Sequence, residues 1–164
     1  MLLAHRLVDL IEKNAHSLGL RWARAVIEHP MTPGYNKIPE EELTKRAENV
    51  YSSLGKYLGH HFSTDETKKI YMDLGRRRFF EGFSTPELVI AISLEKSVLF
   101  EAVQEVGFSS SYDLQGALEL LVEVGRFFDK ALVWSLMGFE EERNSGKKAS
   151  GRMRPTLRWF MPGK

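Results

Sequence analysis

The chain has no cysteine among its 164 residues. That excludes disulfides, thiolate metal sites and a cysteine nucleophile together, and it fits a reducing compartment. No uncharged apolar run approaches the ~18 residues that a membrane-spanning helix needs. The opening Met1-Leu2-Leu3-Ala4-His5-Arg6-Leu7-Val8-Asp9 brings in charge too early for a secretory signal. A soluble, cytoplasmic protein is therefore expected. All the histidines, His5, His16, His29, His60 and His61, lie in the first part of the chain. The adjacent His60 and His61 point about 100° apart on a helix, with no acid or histidine at helical spacing to complete a ligand set, so no metal centre is expected. There is no glycine-rich phosphate loop, no Gly-x-Ser-x-Gly elbow and no histidine beside an evident nucleophile. The expectation is a non-enzyme without catalytic residues or cofactor. Period-two alternation is missing as well, and with it any strand signal.

What is present is helical. With 43% hydrophobic and 27% charged residues, the chain is long enough for one domain with a true core. Leu3, Leu7, Leu10, Ile11, Leu18, Trp22, Ala25 and Val26 recur at spacings of three and four, predicting one long amphipathic helix that Pro30 ends. Pro39 followed by Glu40-Glu41-Glu42 starts a second helix, which dissolves near Gly59. Ser63-Thr64-Asp65-Glu66 reads as a capping box opening a third, Gly82 can end it, and Thr85-Pro86-Glu87 caps a fourth.

The third helix carries the least generic stretch, Asp73 through Glu81. Asp73 stands four residues before Arg77, and Arg78 three before Glu81, both at helical contact distance. Pressed against Leu74 and Tyr71, Arg78 must find a partner, because an unpaired buried charge costs several kcal/mol. Arg78 and Glu81 then either close one end of the core as a structural ion pair, or line a ligand or signal pocket with Tyr71, or stand on a solvated face. Glu95, on the apolar stripe of the fourth helix, is a second candidate partner for Arg78, or else an ordinary half-exposed edge residue.

The fifth helix has two apolar seams. One runs Leu114, Leu118, Leu121, Gly125, Phe128, Leu132, Ser135, Phe139; the other runs Ala117, Leu120, Val124, Phe127, Ala131, Trp134. Two seams require two partners, one the core and the other a second copy of the chain, unless both are buried within one chain. The expected dimer interface is Leu114, Leu118, Leu121, Gly125, Phe128 and Leu132. Residues 144–164 hold six basic groups and no acid. Arg154, Arg158, Trp159 and Phe160 there are candidate anchors for a protein partner, with nucleic acid the less favoured occupant.

Leu74-Gly75-Arg76-Arg77-Arg78-Phe79-Phe80-Glu81-Gly82-Phe83-Ser84 resembles the Gly-x-x-Arg-x-x-x-Gly segment of the RsbRD-type N-terminal domain, the sensor half of bacterial stressosome co-antagonists. Trp22, the His29-Pro30 loop with Tyr35, and the helix from Glu40 to Tyr57 are similar to that family's opening half. The resemblance implies a globin-like helical fold without haem that dimerises, receives a signal and passes it on. A globin's proximal histidine comes from its second half, where this chain has none. The typical member continues into a STAS output domain, for which no room is expected here, so a separate signalling partner is. The expected architecture is all-α: a single globin-like domain over residues 1–143, about five main helices with the last one long, and an irregular basic tail over 144–164. A nucleic-acid-binding helical protein and a small-ligand globin-like sensor are the alternatives.

Overall fold

The computed structural model describes residues 2–59 and 62–152. In chain order it has α1 (Leu2–Lys13), α2 (Ala15–Glu28), a 3-10 turn (Pro33–Lys37), α3 (Glu40–Tyr51), α4 (Leu54–Leu58), α5 (Thr64–Phe80), α6 (Thr85–Glu105) and α7 (Ser111–Arg152). All the described secondary structure is helical, in a single domain, and no described helix is long and apolar enough to cross a membrane.

Two expected helices are divided. The first breaks at Asn14, whose side-chain amide donates to the Leu10 carbonyl at 2.8 Å. Asparagine competes with the backbone in this way and interrupts the ladder. The second breaks at Ser52-Ser53, where the Ser53 N–H bonds three residues back, to Val50. Both capping boxes form, Ser63 with Glu66 and Ser84 with Glu87. The cap of α6 is thus Ser84, one residue before the expected Thr85. Gly82 (φ +84°) and Gly107 (φ +74°) end α5 and α6 in the left-handed region that glycine enters without strain. The last helix does not stop at 143 but continues to Arg152, 42 residues in all, about 60 Å at 1.5 Å per residue.

The core is set by two close crossings. Antiparallel α2 and α3 meet at Gly19, where a Cβ would fall 2.7 Å from the Thr44 carbonyl oxygen. Parallel α5 and α7 interlock through two glycines. A Cβ on Gly75 would sit 1.8 Å from the Ser135 carbonyl oxygen, and one on Gly138 would sit 2.0 Å from that of Met72. Around these crossings pack Trp22, Tyr35, Tyr51, Tyr71, Leu99, Val124 and Phe128. Trp22 donates its indole N–H to the Ala91 carbonyl at 2.8 Å, tying α2 to α6, and Tyr35 stacks on Phe83 with ring centroids 4.3 Å apart.

Candidate functional site

The charged stretch of α5 folds into the core end of a buried polar cluster. Arg78 is buried, and its Nη1 donates to Glu81 Oε2 at 3.0 Å. Glu81 is also gripped by Arg46 from α3, through Nη1 at 3.1 Å and Nη2 at 3.0 Å, while Arg46 Nη2 reaches Glu42 at 2.7 Å. One carboxylate therefore joins two guanidinium groups from different helices. Bidentate charged bonds of this kind are stronger and more directional than single neutral ones. Asp73 pairs with Arg76 at 2.7 Å, not with Arg77 as its spacing predicted, because Arg76 faces α7, where Glu141 accepts from it at 2.6 Å.

Glu95, on α6, is buried among tyrosines and faces Arg78. Burial pushes its carboxyl up to about 8, against the pull of Arg78, so it is neutral at pH 7. Burial likewise pushes Tyr35 up to about 12, opposed by Arg78, and raises Tyr51, Tyr57 and Tyr71, with Glu95 adding to each. Tyr51 donates its hydroxyl to the Glu95 backbone carbonyl at 3.1 Å. The Tyr71 hydroxyl is buried without a partner, as is that of Ser135. An unsatisfied buried polar group costs about 1–3 kcal/mol.

Of the four residues expected at a signal pocket, Arg78 and Glu81 stand at the C-terminal end of α5 with Glu81 at the surface, Tyr71 is buried about two turns earlier in the middle of that helix, and Glu95 is buried on α6. Behind them, Tyr71 abuts Tyr57 and Phe127, with ring centroids 6.2 and 5.7 Å away. Those two rings wall a surface cleft between α4, α5 and α7.

Three contributors were not read from the sequence as parts of this cluster. Arg46 lies on another helix and had no local signal. Tyr35 enters from the 3-10 turn. Glu87 stands at N3 of the Ser84 capping box, which the motif Ser84-Thr85-Pro86-Glu87 announces. Its Oε1 also accepts from the Gly34 N–H at 2.6 Å, and its Oε2 from Ser84 N at 2.8 Å and Ser84 Oγ at 2.9 Å. Burial pushes this carboxyl up, but the Ser84 and Gly34 N–H groups outweigh it and lower its pKa. Glu87 so pins the turn carrying Tyr35 onto α6.

The residues expected at a dimer interface are divided by the fold. Leu114 and Leu118 are exposed, Leu121 and Leu132 are half-buried against the core, and Gly125 is half-buried near Phe100. Phe128 is a correction: it is core, because α7 turns that position inward against Phe127 and its neighbours. Exposed instead are Val122, Val133 and Met137. The second seam is buried at Ala117, Leu120, Val124, Phe127 and Ala131 and half-buried at Trp134. His60 and His61 and the tail residues Arg154, Arg158, Trp159 and Phe160 lie outside the described residues. Among the described residues no cluster of three histidines or acids is placed to hold a metal.

A family model described as the RsbT co-antagonist protein rsbRD N-terminal domain matches residues 16–153. No curated protein and no solved structure matches the chain.

Proposed function

The chain belongs to the RsbRD N-terminal domain family, whose name marks a stressosome-associated signalling domain, and from that premise we propose that it is a haem-free, non-enzymatic receiver that pairs with a second copy and acts on a separate signalling partner. The observation that carries this reading is the surface of α7. Leu114, Leu118 and Val122 form an exposed i,i+4 ladder, and Leu118 and Val133 are each 54% exposed. Leu10, Val106 and Phe108 are further exposed apolar residues, on α1 and the α6–α7 loop. Large apolar side chains left in solvent along one face of a helix are the mark of an interface.

The opposite flank of the same helix is locked into the interior by the Gly75–Ser135 and Gly138–Met72 crossings. A small change at the Arg78, Glu81 and Glu95 cluster on α5 and α6 would therefore move a helix that also faces the partner copy. Packed interfaces respond to such changes by switching rather than deforming.

Light scattering coupled to size exclusion tests the pairing. A dimer is expected for the full chain, and a monomer of unchanged helix content for Leu118→Glu combined with Val133→Glu. A full chain that stays monomeric at high concentration refutes the pairing.

A further inference from the structure

The cleft between α4, α5 and α7 has a volume of about 280 Å³. That is just under the ~300 Å³ at which small-molecule sites begin, so it limits a ligand to one or two fused rings. Its walls are aromatic: Tyr57 lies 5.2 Å from Phe62 and 4.9 Å from Phe127 by ring centroids, and Trp134 is a further lining residue. Tyr57, Phe62 and Trp134 are only half-buried, so part of each aromatic side chain meets the cleft. Such rings attract planar rings in offset or edge-on contact.

The rim is cationic. Arg126 and Lys130 stand one turn apart on α7, both exposed and both lining the cleft. Neither takes part in an ion pair found among the described residues. The intervening acid, Asp129, is turned to Lys96 on α6 at 3.2 Å. Glu123 is the one acid in the lining. Two cations against one carboxylate leave a single positive charge to be neutralised, which suits a monoanion better than a phosphate dianion. Aromatic walls with a guanidinium at the mouth select a flat ring carrying a carboxylate, because Arg can grip that group through two parallel N–H bonds.

We propose that this cleft binds a small aromatic carboxylate, its ring held by Tyr57, Phe62 and Trp134 and its carboxylate by Arg126 and Lys130. The rings of Tyr57 and Phe127 touch Tyr71 directly, so an occupant would press on the tyrosine that adjoins Glu95. The site is built from one copy of the chain; because Arg126 and Lys130 lie between Val122 and Val133 on α7, light scattering on the same samples separates a loss of ligand from a loss of pairing.

Calorimetric titration of the full chain with indole-3-carboxylate, indole-3-carboxamide and inorganic phosphate tests the assignment. The acid is expected to bind at sub-millimolar concentration and the isosteric amide at least tenfold more weakly. Phosphate is expected not to displace the acid. Arg126→Gln combined with Lys130→Gln, both surface positions whose folding circular dichroism checks, should weaken the acid at least tenfold and leave the amide unchanged. No binding of the acid at millimolar concentration, equal affinity for acid and amide, displacement by phosphate, or an unchanged double variant would each overturn it.

Discussion

Glu95 makes the pH dependence of stability a direct reading of the interior. In the unfolded chain its carboxyl has the ordinary value of 4.5, and in the fold burial raises it to about 8. The folded state therefore holds a proton that the unfolded state releases between these values. Stability is at its full value below 4.5, falls as pH rises, and levels off above about 8. One pKa unit corresponds to 1.36 kcal/mol, so the loss is about 3 kcal/mol by pH 7 and about 5 kcal/mol in total. The groups facing the carboxyl are Arg78, which opposes the shift, and the tyrosines 35, 51, 57 and 71, which stay neutral throughout this range because burial raises them further. Glu95→Gln keeps the shape and removes the ionisation. Urea unfolding of both proteins at pH 5, 6, 7 and 8 should give curves that diverge by about 1 kcal/mol per pH unit, with the variant the more stable at pH 8. Taking the difference cancels every other titrating group. Parallel curves would mean that water or a rearranged partner solvates Glu95 and that the interior is not as dry as its packing indicates.

Other substitutions probe the crossings and ties. Gly75→Ala places a methyl 1.8 Å from the Ser135 carbonyl oxygen and should cost at least about 3 kcal/mol, whereas Gly146→Ala, with nothing within 4 Å, should be neutral or stabilise α7 by up to about 1 kcal/mol; thermal unfolding separates them. Glu87→Gln loses a charged acceptor for the Gly34 and Ser84 donors and should cost about 1.5–3 kcal/mol. Because the Glu87 pKa is lowered in the fold, its contribution is present above 4.5 and lost as pH falls through the depressed value, so the two proteins should converge in stability in acid. Trp22→Phe leaves the Ala91 carbonyl without its indole donor and should cost about 1–3 kcal/mol by urea unfolding.

Features built from neighbours along one helix were readable from residue order. The Ser63–Glu66 box, the stop at Gly82 and the Arg78–Glu81 pair each depend on residues within one turn, where helical geometry alone fixes who meets whom. The break at Asn14 was not, because the apolar spacing runs through it undisturbed and only the side-chain bond to Leu10 marks it. Within the candidate site, Gly75 was legible as part of a motif but not as a crossing point, since its reason is the Ser135 backbone sixty residues away.

Residue order by itself determined an all-helical chain, the caps and stops of its later helices, a charged cluster inside α5 and surplus apolar surface on α7, because periodicity and capping are local properties of the backbone. Tertiary structure alone decided that Arg46 shares Glu81 with Arg78, that Glu95 is buried among four tyrosines, and that α7 buries Phe128 while leaving Leu118 in solvent. Those outcomes depend on how closely and at what angle separate helices pack, and that is set by glycine contacts and core volumes summed over the whole domain.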